Sequence, residues 1–217
     1  FKDMHIIGID HGYGNLKTVS GIFPASVLPF DQEPIHAQDL LVYGGKYYVI
    51  GSGHREFTPD KVSNSDHYIL TLAGIGQELW AHRMTNARVY IAAGLPLTWV
   101  ESQRESFRAY LLQNGHVDFT WRGIAYHVEI VGASVYAQGF SAIVPMLRQF
   151  KGVNMLCDIG NGTMNIMFIN DRKPVVDRMF TEKYGTHQCM LAVRENVMRT
   201  HHATVDESII NLSLIHI

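Results

Sequence analysis

Apolar runs and glycine turns recur along this chain in one repeated order. Residues 4–9 form a short unbroken apolar run, the pattern of a strand covered on both faces. The run ends in Asp10, and the turn Gly12-Tyr13-Gly14 then leads into Asn15, Lys17 and Thr18. Residues 153–158 repeat the design: an apolar run ending in Asp158, followed by Gly160-Asn161-Gly162-Thr163.

Between the two copies the pattern predicts a series of elements. Residues 16–22 read as the hairpin partner of the first strand, and 24–34 as loop. Residues 40–50 form a hairpin about Gly44-Gly45, a dipeptide suited to a two-residue turn. A polar connection covers 51–54 and 58–65. Asp66 then N-caps a helix to about residue 84, with Ile69, Leu72, Ala73, Ile75, Leu79 and Trp80 on its apolar face, although Gly74 and Gly76 weaken it. Residues 87–93 are a buried strand closed by Gly94-Leu95-Pro96. Thr98 and Glu101 have capping-box spacing for a helix that runs to Gln113 and stops at Asn114-Gly115.

Residues 116–121 and 125–131 make a hairpin about Arg122-Gly123, and 136–150 a helix containing Gly139 and Pro145. Strands at 153–158, 165–169 and 174–179 follow, the last two turned by Asn170-Asp171. A helix spans 186–200, and residues 204–207 cap another. Strands followed by helices, twice, define an α/β protein whose second half is incomplete.

Composition narrows the classes. At 217 residues the chain suits one large domain or two small ones, and 47% hydrophobic with 18% charged residues describes an ordinary globular protein. A net charge of -2 provides no broad basic surface for direct contact with nucleic acid. No apolar run reaches the roughly 18 residues of a membrane span, and no secretory leader opens the chain. Cys157 and Cys189 lie in apolar sequence and read as a reduced pair of core residues in a cytoplasmic protein. Phe1-Lys2-Asp3 preceding Met4, and an ending just after a helix-like stretch, suggest a fragment whose natural start is Met4. Residues 212–217 carry no structural expectation.

The chemistry lies in the two turns. Successive backbone amides in a glycine turn form a concave nest for anions, and Gly12, Gly14, Gly160 and Gly162 permit its backbone angles. Asn15, Thr163 and the Lys17 ammonium add donors. Asp10 and Asp158, at strand ends, can hold a magnesium ion through its waters. One such turn alone would be an ordinary hairpin; two of matching layout, 148 positions apart, indicate one site gripping a phosphate tail from both sides. A dinucleotide fingerprint fails because Lys17 stands where the third glycine belongs, and a Walker loop fails on glycine spacing.

Together with the Gly94-Leu95-Pro96 strand end and the segment Tyr136-Ala137-Gln138-Gly139-Phe140-Ser141-Ala142, the turns resemble those of the actin-like ATPases, in particular the ParM/StbA-type plasmid-segregation proteins of Firmicutes. The resemblance covers residues 4 to about 211. It implies the ribonuclease H-like fold of actin, a mixed sheet flanked by helices. An N-terminal domain over 4–150 would carry the first turn and Gln138, and residues 151–217 would begin a second, truncated domain. It further implies ATP, with GTP as the alternative, bound with Mg2+ between the two. Asp10, Gly12, Tyr13, Gly14, Asn15 and Lys17 would hold the nucleotide from one side and Gly160, Asn161, Gly162 and Thr163 from the other. Asp10 and Asp158 would anchor the metal, and Gln138 would orient the attacking water. Gly185-Thr186 either approaches the ribose or is an ordinary helix start. Asn165 stands where many members carry aspartate or histidine.

Function follows the same resemblance: a filament-forming ATPase whose partners are copies of itself and a DNA-binding adaptor protein of a partition complex. A small-molecule kinase of the same superfamily is the alternative, but it needs a general-base carboxylate where Gln138 stands. A non-catalytic truncated subunit is the third reading. Twelve histidines include no His-Glu-x-x-His pair. Phe119, Trp121 and Tyr126, with Tyr47-Tyr48, fit cross-strand pairs, and Met155, Met164 and Met167 fit core filler.

Overall fold

Three strands set the direction of the molecule. β1 (His5–His11) runs parallel to β7 (Asn86–Leu95), which runs parallel to β9 (Ile124–Ala137). Their carboxyl ends, carrying Asp10, Leu95 and Ala137, therefore leave the sheet along one edge. This is a computed structural model, and it describes residues 3–52, 65–206 and 209–210. The connection expected at 51–54 and 58–65, the helix capped at 204–207 and the tail at 212–217 fall wholly or partly outside those residues.

Around the parallel core, antiparallel hairpins extend the sheet to nine strands in the order β3-β2-β1-β7-β9-β8-β5-β6-β4. The added strands are β2 (Asn15–Lys17), β3 (Ile22–Pro24), β4 (Val27–Phe30), β5 (Leu40–Tyr43), β6 (Lys46–Ile50) and β8 (His116–Trp121). β3 and β4 stand at opposite ends of that order, yet only Ala25 and Ser26 join them. Such a link spans about 11 Å at most, so the sheet must curl until its edges approach.

Helix α1 (Asp66–Ala81) occupies the concave side and touches β1, β2, β4, β6 and β8. Every residue from His67 to Leu79 is buried, as befits a helix enclosed on all sides. Its glycines, unfavourable in an isolated helix, are explained by that enclosure. A Cβ on Gly74 would lie 3.2 Å from Leu16 Cδ2, and one on Gly76 would lie 2.8 Å from Trp121 Cβ. The Trp121 atom is fixed to its backbone and cannot yield. Gly76→Ala should therefore destabilise the protein by about 1–2 kcal/mol, an overpacking cost partly offset by alanine's better helix propensity. A lowered urea midpoint would show it.

Helix α2 (Val100–Leu111) packs Val100, Phe107 and Leu111 against β7 and β9. Between α1 and α2, Tyr68 donates its backbone N–H to the Tyr110 hydroxyl at 2.9 Å and accepts from Asn114 Nδ2 at 3.1 Å. Burial pushes the Tyr68 hydroxyl up to about 12. The folded state keeps this proton after the unfolded chain, near 10, has lost it, so stability falls as pH rises from about 10 towards about 12. Urea midpoints across that range should fall less steeply in Tyr68→Phe.

A second, three-stranded antiparallel sheet, β10-β11-β12, comprises β10 (Val153–Ile159), β11 (Met164–Asn170) and β12 (Lys173–Glu182). Leu97, Ile143, Met167 and Ile169 form a small core that ties it to the first sheet. Helix α3 (Phe140–Ile143) and a 3-10 helix (Val144–Gln149) lead into it, and α4 (Thr186–His201) follows it.

Several expectations change. The partner of β1 is only Asn15–Lys17, and Val27–Phe30, expected as loop, is a strand paired with β6. Ser65, not Asp66, is the N-cap of α1. The capping box at Thr98 does not form: Trp99 is the N-cap of α2, with no side-chain capping bond. β9 continues six residues past its expected end because, beyond a register shift at Val89/Tyr90, it stays paired with β7 as far as Leu95↔Ala137. The helix expected at 136–150 is reduced to α3 and the 3-10 turn, where Pro145 lacks an amide to donate. The β11–β12 turn is Asp171-Arg172, both at positive φ. Neither cysteine is in a core, since Cys157 and Cys189 are both exposed. Met155 is 60% exposed, whereas Met167 is buried. The Gly44-Gly45 hairpin and the stacked Phe119–Tyr126 pair are as expected.

Candidate active site

At the edge where the parallel strands end, the two turns meet. Gln138 directly follows β9, and its backbone N–H donates to the Leu95 carbonyl at 2.8 Å, so the end of β7 holds it. Gly94 leaves room for the side chain, because a Cβ there would sit 2.9 Å from Gln138 Cγ. Gln138 Nε2 then donates to Asp10 Oδ1 at 2.9 Å. A carboxylate only accepts, so the amide nitrogen faces Asp10 and the amide oxygen remains for another donor.

The next residue reaches the other carboxylate. Gly139 has φ +76°, and a Cβ on it would lie 3.0 Å from Asp158 Cβ and 3.1 Å from Asp158 Oδ2. Asp10 and Asp158, from different sheets, thus converge on the consecutive residues Gln138 and Gly139. The sequence marked Gly139 only as a weak point in a helix. Its left-handed backbone is what turns the chain between the two carboxylates.

The turns themselves are in contact. A Cβ on Gly14 would lie 2.9 Å from Asn161 Cβ and 3.1 Å from Asn161 Nδ2. Gly160 N–H donates to the Thr163 carbonyl at 2.8 Å and closes the second turn, with Thr163 buried. None of Gly12, Gly14 or Gly160 has positive φ. The expectation that the turn glycines supply left-handed backbone angles is therefore corrected for these three. Close approach explains them better, since a Cβ on Gly12 would meet the Asn15 carbonyl oxygen at 2.6 Å.

Gly185 lies behind the second turn rather than open at its rim. A Cβ there would come within 2.6 Å of the Gly160 carbonyl oxygen. The first amides of α4 are committed to that turn: Thr186 N–H donates to Gly160 O and His187 N–H to Asn161 O, each at 3.0 Å. Tyr13 lies edge-on to Trp99, with ring centroids 6.3 Å apart. Asn15 and Lys17 are exposed on β2, and Lys17 is the cross-strand partner of Asp10, so both side chains project from one face. Asn165, 3% exposed, was singled out by the sequence only as a departure, and it proves to join the small sheet to the segment after β7.

Two half-buried carboxylates with hard oxygen donors suit magnesium, which is commonly held by one or two carboxylates together with substrate phosphates. The small residues at both turns suit a phosphate chain passing close to backbone.

Residues 8–140 match the family model described as the N-terminal domain of actin-like proteins. The chain belongs to the actin-like proteins. None of the curated proteins matches it. Among solved structures, the archaeal actin homologue Ta0583 aligns with 97% of this actin-like chain and 71% of its own, at 23% identity and a TM-score of 0.77. A Ta0583 complex with ADP aligns over the same shares at 20% identity and a TM-score of 0.75. Apo psk41 ParM covers 90% of this chain and 71% of its own, at 16% identity and 0.70. AlfA from a Bacillus subtilis plasmid, solved as a filament, covers 90% and 78%, at 14% identity and 0.65. These likenesses show the actin-like fold, a mixed sheet flanked by helices, extending across both turns.

Proposed function

We propose that this chain carries the phosphate clamp of an ATPase that binds ATP, or alternatively GTP, with Mg2+ between domains divided near residue 150. The observation that carries the reading is the convergence of Asp10 and Asp158 on Gln138-Gly139. Asp10 and Asp158 would hold the metal through its waters. Backbone of the two turns cradles the phosphates, and Lys17 adds positive charge on the Asp10 face. Gln138 spends its amide nitrogen on Asp10 and offers its oxygen to a hydrogen of the attacking water. It orients that water without acting as a base, which suits a reaction governed by positioning and charge neutralisation. When bound, magnesium supplies neutralisation of the charge developing on the phosphate oxygens.

The same reading extends to assembly: ATP favours filaments of this protein in the cytoplasm, hydrolysis weakens them, and an adaptor bound to plasmid DNA couples growth to segregation. AlfA, a structural relative, is itself a filament. Among the described residues no helix is long and apolar enough to cross a membrane. The test adds ATP and Mg2+ to the intact protein without any acceptor, while phosphate release and light scattering are followed together. Both should rise, and scattering should decay as ATP is consumed. Phosphate appearing only when a sugar or carboxylate acceptor is supplied would instead indicate a kinase.

A further inference from the structure

We infer that Asn165 is a positioning residue that ties the Asp158 carboxylate to the segment following β7, so that the metal anchor of the second sheet is set from the first. The proposal rests on the ATPase reading for its link to magnesium; the tie itself does not.

Asn165 lies on β11 directly across from Asp158 on β10, so the two side chains share a face of the small sheet. It is 3% exposed. Leu97 N–H donates to Asn165 Oδ1 at 3.0 Å, and the Thr181 hydroxyl donates to the same oxygen at 2.9 Å. A backbone N–H can only donate, which fixes the amide orientation and occupies both lone pairs of the oxygen. The nitrogen therefore points the other way, where Nδ2 lies 3.5 Å from Asp158 Oδ2, a long contact. Thr181 extends the tie by accepting from Thr98 N–H at 3.1 Å.

One side chain thus receives two donors, Thr181 from the small sheet and Leu97 from the turn after β7, and faces the Asp158 carboxylate with its amide nitrogen. With its oxygen occupied, Asn165 has no acceptor for a nucleophilic water, so orienting that water falls to Gln138. Leu97 and Thr98 continue the β7 end that also holds Gln138. The two residues flanking the reacting phosphate are set from one short segment. Displacement of that segment would move Asp158 and Gln138 together.

Two measurements test this. Hydrogen exchange on the nucleotide-free protein reads the tie: the Leu97 amide should be protected, should exchange at least about 10-fold faster in Asn165→Ala, and should stay near wild type in Asn165→Asp, which keeps the acceptor. Calorimetry of ATP binding at graded Mg2+ reads the positioning. Asn165→Ala and Thr181→Val should raise the Mg2+ requirement by about 10-fold, the scale of losing an outer-shell partner, and Thr181→Ser should restore it. Binding in EDTA should not change. An unprotected Leu97 amide in the wild type overturns the tie whatever the nucleotide data show. Thr181→Val that lowers the melting temperature but leaves the Mg2+ requirement unchanged overturns the positioning role. If the wild type protects Leu97 but binds no ATP, the ATPase reading and the positioning role both fail, and the tie stands as structural.

Discussion

Asp158→Ala in the intact protein should reduce Mg2+-dependent ATP hydrolysis by about 10²- to 10³-fold. Asp158 is one of the two carboxylates facing the Gln138-Gly139 turn, and the other, Asp10, is already engaged by Gln138 at 2.9 Å. Without Asp158 the metal would be anchored from one sheet only, and its position relative to the phosphates would be loosely set. In phosphoryl transfer that position is most of what the protein contributes. The substitution is small and the site half-buried, so the fold should survive, with the melting temperature changing by only a few degrees. Steady-state phosphate release alongside a melting curve checks both statements. Turnover within about threefold of wild type would remove Asp158 from the metal site.

Gln138→Ala should separate binding from turnover. The expected loss in kcat is on the order of 10²-fold, while nucleotide affinity stays within about threefold, because the amide orients water and does not hold the phosphates. Gln138→Glu gives a different result. It replaces the donor facing Asp10 Oδ1 with a second carboxylate, and like charges at that distance resist joint ionisation. Hydrolysis by Gln138→Glu should therefore gain a pH dependence that Gln138→Ala lacks, as the proton shared by the pair is lost. A fall in affinity as large as the fall in kcat for Gln138→Ala would place Gln138 in ground-state binding instead.

The turns were legible because an apolar run ending in aspartate and followed by closely spaced glycines is a local pattern, and each copy lies within a dozen residues. The cover expected on both faces was not met, since Ile6 on β1 and Met155 on β10 are 62% and 60% exposed. Their contact was not legible. Asp10 meets Gln138 because β1, β7 and β9 lie parallel and end together, and Gly14 meets Asn161 because the small sheet docks at that edge, long-range properties that neither periodicity nor propensity encodes. Gly139 looked like a flaw in a helix for the same reason, since the neighbour that requires it, Asp158, comes from another sheet. Thr98 shows tertiary structure overriding a local motif. Its spacing to Glu101 suits a capping box, but its backbone amide goes to Thr181 and the helix starts at Trp99 without one. Gly74 and Gly76 weakened the prediction of α1 until the curled sheet around it supplied their reason. The cysteines were misplaced because apolar neighbours in sequence do not decide which face of a strand is covered. Cys157 shares its exposed face of β10 with Val153, Met155 and Ile159.

Calorimetric titration of the 217-residue chain with ATP, with and without Mg2+, is the most direct test of the clamp. The predicted result is one saturable site with Kd below about 1 mM in Mg2+, weakened in EDTA and weakened to the same extent by Asp10→Ala and Asp158→Ala, because the two turns hold one ion. Binding that is absent in the wild type, or present but indifferent to both aspartates and to the metal, would contradict it.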